Sequence, residues 1–390
     1  MKGESLGSIR TLHSFRKDIL LCRITSATFL VDLRVANLKR RTKMKNFRIV
    51  VWLVLVALVV VAPVSFAKKS GPYTVAISNG FVGSEWRIQM VESAQVVFDE
   101  YKAQGLVKGD LYVNHAGPDV TAQIAALRNM INRGYDIIII NPNSQTALNP
   151  VIEEATEQGI VVIVVDQEVT APSAINVVID QAQWARFSAQ WLVEQLNGKG
   201  NIVALNGLAG HPASEDRWRG AKDVFSQYPE INILTMTHAD WDQATGQQVM
   251  SNLLATYPSI DGVWSQDGSA QGALRAVLTA GGKLPVMTGE ARVGFMREWD
   301  ELRTTHGFSS VGVVNPPGVA ASGLRIAMNI LEGREFKEGV LARGNTLYVP
   351  IPIIVTNSNF DAIWAEYKDL PDAYSIDGWL TEDEARAFFK

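Results

Sequence analysis

Residues 136–142 read Asp-Ile-Ile-Ile-Ile-Asn-Pro, and residues 160–167 read Ile-Val-Val-Ile-Val-Val-Asp-Gln. Short runs of β-branched residues that stop at Asp, Asn or Pro are typical of strands buried on both faces of a parallel sheet. Amphipathic stretches with apolar residues three or four apart separate such runs. The expected elements of this half are strands at 73–78, 110–114, 136–140 and 160–165, and helices at 88–101, 121–133 and 148–158. This alternation predicts an α/β fold.

The same alternation starts again after Asp180. It predicts a helix at 181–197 and strands at 201–205, 231–237, 262–264 and 286–288. No sequence repeat relates the halves and no Pro/Ser-rich linker separates them, so short crossing segments are expected to join them. We therefore expect two doubly wound parallel-sheet lobes joined by a three-segment hinge, with crossings near 178–180, 314–317 and 348–352.

These crossings divide the chain. The N-terminal lobe is expected to comprise 71–179 plus 316–349, and the C-terminal lobe 180–315 plus 350–390. The last part, 357–390, is an extension in which Thr-Glu-Asp-Glu at 381–384 predicts a helix start.

The N-terminal region has the pattern of an export signal. An apolar run at 49–64 follows Lys43, Lys45 and Arg48 and precedes the small residues around Ala67. We expect a signal peptide at 44–67 and a possible upstream extension at 1–43; an uncleaved membrane anchor is the alternative, for which the run is short. The expected location is the periplasm or the extracellular face of the cytoplasmic membrane.

Composition excludes several classes of protein. The 390 residues are 47% hydrophobic and 19% charged, with a net charge of −4 and no basic stripe, so no nucleic-acid partner is expected. The single cysteine, Cys22, precedes the signal, and the five histidines lack metal-ligand spacing. Phosphate-loop, dinucleotide-turn and nucleophile-elbow motifs are absent from the sequence. We therefore expect no metal, no cofactor and no enzyme activity.

Polar and aromatic residues follow the predicted strands. Ligands of open parallel sheets lie beyond the carboxyl ends of the strands, so these residues are site candidates. A sugar suits them, because its hydroxyls need donors and acceptors while an aromatic ring packs on its C–H face. Taken singly, such residues are more often helix caps, core tryptophans or surface ion pairs. The candidates are Trp86, Arg87, Asn141, Asp166 and Gln167 in the first half, and Arg217, Trp241, Asp267 and Glu290 in the second.

Several of these pieces together resemble the ribose-type periplasmic sugar-binding proteins, which have the type I periplasmic-binding fold. The resemblance covers about 73–336. It rests on Ile-Asn-Pro at 140–142, Val-Asp at 165–166, Gly-Leu-Ala-Gly at 207–210, Arg-x-x-Gly at 217–220, and Gln-Asp at 266–267 ahead of Gly-Ala-Leu at 272–274.

The resemblance implies which residues face a ligand. These are Asn141, Asp166, Arg217, Trp241 and Asp267, with Trp86 as the aromatic of the first loop. Glu290 stands where the family has an aspartate, and Asn315 stands near the family's hinge glutamine. The family's Asp-Arg pair is Asp166-Gln167 here and its Asn is Asp267, and these departures argue against ribose itself.

The resemblance further implies the solute-binding component of an ABC importer. A monomer is expected to bind a small sugar or polyol between its lobes, close about the hinge and deliver the ligand to the permease. A ligand sensor for a membrane receptor and a sugar-modifying enzyme on the same scaffold are the alternatives. A neighbouring permease, a neighbouring receptor or measurable product formation would distinguish the three.

Overall fold

The computed structural model describes residues 71–80 and 85–390. The predicted signal peptide at 44–67 and the extension at 1–43 lie outside these residues. Within the described part, no helix combines the length and the apolar character needed to cross a membrane.

Twelve strands and eleven helices are described in 71–80 and 85–390. In chain order they are β1 (Val75–Asn79), α1 (Glu85–Ala103), β2 (Tyr112–His115), α2 (Val120–Arg133), β3 (Ile137–Asn141), α3 (Asn149–Glu157), β4 (Val161–Val165), β5 (Ile175–Val178), α4 (Gln181–Gln195), β6 (Lys199–Asn206), α5 (Pro212–Phe225), β7 (Glu230–His238), α6 (Gln243–Thr256), β8 (Gly262–Ser265), α7 (Ala270–Ala280), β9 (Val286–Met287), α8 (Val293–His306), β10 (Val311–Val313), α9 (Val319–Leu331), β11 (Thr346–Tyr348), β12 (Ile354–Thr356), α10 (Phe360–Tyr367) and α11 (Glu382–Arg386).

The first lobe is built on a six-stranded parallel sheet in the order β11-β5-β4-β3-β1-β2. Strands β1, β3 and β4 are buried along their whole length, as their continuous apolar runs predict. Asn79 pairs in register with Asn141, so the carboxyl ends of β1 and β3 lie side by side. This edge faces the second lobe.

The second lobe contains a four-stranded parallel sheet in the order β7-β6-β8-β9. Helices α4 and α5 pack against each other, as do α6 and α7. Strands β10 and β12 form a separate antiparallel pair, which the alternating pattern did not predict. The predicted fold class, two parallel-sheet lobes, is confirmed.

The C-terminal extension contacts both lobes. The Phe360 ring of α10 lies 4.9 Å from Trp299 in the second lobe. By contrast, the Leu380 amide donates to Ser322 of α9, and the Phe389 ring stacks on Phe336 with centroids 4.3 Å apart. Helix α9 packs on α1 and β4 of the first lobe. The final residues of 350–390, which the sequence assigned to the second lobe, thus also pack their apolar side chains on the first lobe.

Candidate functional site

Three side chains of the first lobe meet at the carboxyl end of its sheet. Asn141 ends β3, Asp166 directly follows β4, and Arg87 lies in the first turn of α1. The Arg87 guanidinium donates to Asn141 Oδ1 and lies 3.5 Å from Asp166 Oδ2, to which Asn141 Nδ2 donates at 3.3 Å. Burial lowers the pKa of Arg87, and the Asp166 carboxylate opposes that shift. The three form one buried polar cluster with donors and acceptors for hydroxyl groups.

The local backbone conformation and neighbouring hydrogen bonds fix the orientation of these three side chains. Asp166 has a φ of +71°, a left-handed conformation that costs a non-glycine residue about 1 kcal/mol or more. Gln123 of α2 supports the β3 end by donating to the Asn141 carbonyl at 2.8 Å and accepting from the Asn143 amide at 2.8 Å. Gln167 turns away and donates to the Pro142 carbonyl. The structure thus places Gln167 as a support of the strand-end loops, while its surface still borders the cleft.

The second lobe contributes a cluster centred on Arg217. This α5 side chain is 2% exposed, and its guanidinium pairs with Asp267 after β8. Its Nε donates to Gln181 Oε1 at 2.7 Å, and its guanidinium carbon lies 4.1 Å from the centre of a Trp184 ring. The planar cation is therefore fixed by an ion pair, a hydrogen bond and a stacked ring, which leaves it one orientation.

Trp241 lies beside this cluster in a tight turn after β7. Asp240 and Trp241 have φ values of +54° and +55°, so two consecutive non-glycine residues are left-handed. The Trp241 indole donates to Gln266 at 2.8 Å, and a Cβ at Gly207 would collide with the ring. Since strained backbone persists where the surroundings enforce it, the turn is built to hold the indole in place.

Trp86 and Asn315 join the lobes. The Trp86 indole at the start of α1 donates to the Asn315 carbonyl at 2.8 Å. The Asn315 side chain accepts from Gln181 at 3.5 Å, and Gln181 also accepts from Arg217. This chain of contacts runs from the first-lobe helix to the second-lobe cluster.

Glu290 is fully buried and bonded to the protein. Its carboxylate accepts from the Gln271 amide at 3.0 Å and from the Gln243 side chain at 3.0 and 3.2 Å, with Arg292 at 3.5 Å. It borders a small gap that is also lined by Asp267 and Asn315. The structure therefore places Glu290 at the cleft wall, where both of its carboxylate oxygens already accept hydrogen bonds from protein groups.

His211 was not among the candidates, because a lone histidine carries no spacing signal. It stands at the N-cap of α5 with its ring 4.8 Å from Trp241, edge to face, and its Nδ1 is buried without a hydrogen-bond partner. Burial lowers the pKa of His211; Asp166 opposes that shift, and Arg87 and Arg217 add to it. Charged groups of both lobes therefore contribute to the shift of this imidazole.

A cavity of about 140 Å³ opens between the lobes beside these clusters. Asp166 and Gln167 of the first lobe and Gln181 and Ala213 of the second are among its lining residues. In the described part of the chain, no group of three or more His, Cys, Asp or Glu residues could hold a metal ion. Of the sequence candidates, only Asp166 and Gln167 line this cavity, while Arg87, Arg217 and Trp241 lie outside its lining. Its carboxylates and amides offer donors and acceptors to a small polyhydroxylated molecule.

Comparisons with known proteins agree with this architecture. A xylitol-binding protein of Mycolicibacterium smegmatis is 31% identical over 233 residues, which are 58% of this chain and 65% of that protein. A ribose import binding protein of Salmonella typhimurium is 26% identical over 285 residues, 72% of this chain and 92% of that protein. Among solved structures, an ABC transporter solute binding protein of Thermobispora bispora has a TM-score of 0.69 at 26% identity, covering 81% of this chain and 94% of that one.

The family model of the periplasmic binding protein domain matches residues 75–335, a span that contains both parallel sheets except for the strand β11. The match includes every candidate residue from Trp86 to Asn315. The members of this family are solute-binding proteins. With two parallel-sheet lobes, a polar cleft between them and a match over most of its length, this chain belongs to the periplasmic binding protein family.

Proposed function

We propose that this chain is the solute-binding component of an ABC importer and that it binds a monosaccharide or a polyol between its lobes. One observation carries the proposal: charged and amide side chains from both lobes converge on one cleft, where they pair with one another. Two relatives bind xylitol and ribose, which are a polyol and a pentose of similar size.

The chemistry of binding follows from those pairs. Ligand hydroxyls would donate to Asp166 and Asp267 and accept from Arg87 and Arg217, so each buried charge keeps a partner when the ligand enters. The Trp241 ring would pack on the apolar C–H face of the ligand. Gln167 and Asp267 stand where the ribose-type pattern has Arg and Asn, and these exchanges favour a ligand other than ribose.

Ligand contacts on both lobes would stabilise the closed arrangement by hinge rotation. The closed protein would then deliver its ligand to a membrane permease. A monomer acting in the periplasm or on the outer face of the cytoplasmic membrane is part of this proposal, as is the cleavage of the export signal after Ala67.

The proposal is tested by a thermal-shift screen of the chain from residue 68 on against pentoses, hexoses and polyols. A ligand that binds the native state alone raises the melting temperature. We expect a clear shift with one of them, and we expect Asp166→Ala to abolish it.

Asp110→Ala is the matched control, because that carboxylate is almost fully exposed and pairs with Lys102 on the surface. This variant should keep the full shift. A screen without any shift, or an equal shift in both variants, would refute the proposed site.

A further inference from the structure

Residues 372–378, here named the clasp segment, pair with the loop that follows Glu290. The Ile376 amide donates to the Ala291 carbonyl at 2.8 Å, and the Val293 amide donates to the Tyr374 carbonyl at 2.9 Å. The main chain of the segment is therefore bonded to the second lobe at the start of α8.

The first lobe holds the same segment through the Gln89 side chain, which also donates to Asp377 Oδ2 at 3.4 Å, and through the Gly318 amide, which donates to Asp377 Oδ1 at 2.7 Å. Gln89 of α1 donates from Nε2 to the Ser375 carbonyl at 2.9 Å and accepts at Oε1 from the Ser375 amide at 3.0 Å. Gln89 is buried, so neither bond competes freely with water. The side-chain amide of Gln89 thus pairs with both the N–H and the C=O of Ser375, as the main chain of a neighbouring strand would.

The position of this pair relates it to the ligand cleft. Gln89 follows Trp86 by one helical turn, so it shares a rigid element with Trp86 and Arg87. Ser375 borders the small gap that Glu290 and Arg292 also line. One pair of hydrogen bonds therefore connects the ligand-side walls of the two lobes.

We propose that Gln89 is a positioning residue for cleft closure, which fastens the clasp segment and the Glu290–Arg292 loop to the helix that carries Trp86 and Arg87. The inference rests on the proposed function, because a contact that holds the lobes together has a role in binding only if the protein opens and closes on a ligand. Rotation of the lobes away from each other separates Gln89 from Ser375 and Asp377, so loss of the bonds that Gln89 makes to these residues favours the open arrangement.

The test measures the distance between the lobes without any ligand. Residues 66–390 contain no cysteine in the sequence, so labels can be attached to Asn132→Cys on the first lobe and Asn252→Cys on the second, both exposed. Pulsed electron–electron double resonance between spin labels on these two cysteines then reports the distribution of distances between the lobes.

Gln89→Met keeps the volume of the side chain and removes its hydrogen bonds, and Gln89→Asn keeps an amide that is one methylene too short. We expect both to broaden the distribution and to shift it, with the open population increased at least threefold. Gln95→Met is the matched control on the same helix, since Gln95 bonds Asp99 and lies away from the clasp segment. It should leave the distribution unchanged.

A distribution in either Gln89 variant that matches those of the wild type and the Gln95 control would overturn the inference. The labels report lobe motion and not stability, so a merely structural role of Gln89 would lower the melting temperature and leave the distances alone. Because no ligand is added, failure of the thermal-shift screen refutes the proposed function without touching this result.

Discussion

At the scale of single residues, the cleft is a place where charges are buried in pairs. Arg217 is held against Asp267, whose side chain is 24% exposed, and Arg87 is held against the largely buried Asp166. Removing one partner leaves the other buried and uncompensated, which costs more than the pair itself contributes. Such residues are costly to change for both folding and binding, so tests need a surface pair for comparison.

Arg217→Met keeps most of the apolar volume of the side chain and removes its charge. We expect ligand affinity to fall at least about 30-fold, because a lost charged hydrogen bond in a buried site costs about 2 kcal/mol or more. Isothermal titration with the ligand found by the screen measures it. Arg275→Met, which removes an exposed partner of Glu298, should bind as the wild type does. Similar affinities in the two variants would contradict the assigned role of Arg217.

Sequence reasoning found the cleft residues that stand at strand ends and missed those that reach it from elsewhere. Asn141 and Asp166 were predictable, because the carboxyl ends of parallel strands share one edge. Gln89 and Gln181 were not, because a glutamine inside a helix carries no spacing signal and its partners lie far along the chain. The buried bonding of Glu290 likewise depends on two glutamines that no motif marks.

At the scale of elements, apolar runs predicted β1 to β4 of the first parallel sheet and all four strands of the second, but β5 and β11 of the first sheet were not predicted as strands. β3 and β4 were predicted to within a residue, since four or five β-branched residues in a row leave few alternatives. The β10–β12 pair was not predicted, because each strand has three residues and its partner is distant in the sequence. Short elements are defined by their packing and not by their own pattern.

The contact between α4 and α5 gives a prediction at this scale. Gly220 of α5 faces α4 so closely that a Cβ would collide with the Ala182 carbonyl oxygen, which is part of the helix backbone. We expect Gly220→Ala to lower the free energy of unfolding by about 1–3 kcal/mol, despite the higher helix propensity of alanine. Urea denaturation measures the change.

Gly323 of α9 provides the control for this substitution. A Cβ there would meet methyl groups of Ile163 and Val165 at 2.9 and 3.1 Å, and side chains can move where a helix backbone cannot. Gly323→Ala gains the same helix propensity, so it should be the less costly of the two changes. Equal losses of stability would argue against the backbone contact as the cause.

At the scale of the whole molecule, the C-terminal extension adds a fourth passage between the lobes to the three that the sequence predicts. It leaves the second lobe at the clasp segment and ends on α9 of the first lobe. Asp377 lies at this passage and accepts from the Gly318 amide at 2.7 Å and from the Gly378 amide at 2.8 Å. A Cβ at Gly378 would approach Pro352, so the passage runs directly beside two of the predicted crossings.

The carboxyl group at this passage makes stability depend on pH. Burial raises the pKa of Asp377 from 3.8 to about 6, although hydrogen bonds from Gly318, Gly378 and Gln89 oppose the shift; Tyr374 and Tyr367 are the titratable neighbours. Because the folded state binds this proton more tightly than the unfolded state, its contribution to stability is complete below pH 4 and is lost as the pH rises through about 6.

Asp377→Asn keeps an acceptor for the Gly318 amide and cannot ionise. Its free energy of unfolding, relative to the wild type, should therefore increase by about 2–3 kcal/mol between pH 4 and pH 7, as about two pKa units imply. Urea denaturation of both proteins at several pH values measures this difference, in which the titration of all other groups cancels. Asp372→Asn is the control, because that exposed carboxylate pairs with Arg297 on the surface of the same extension. A difference for Asp377→Asn that stays constant with pH would mean that the carboxylate is ionised at little cost in the folded protein, and that this passage holds the lobes together equally at any pH.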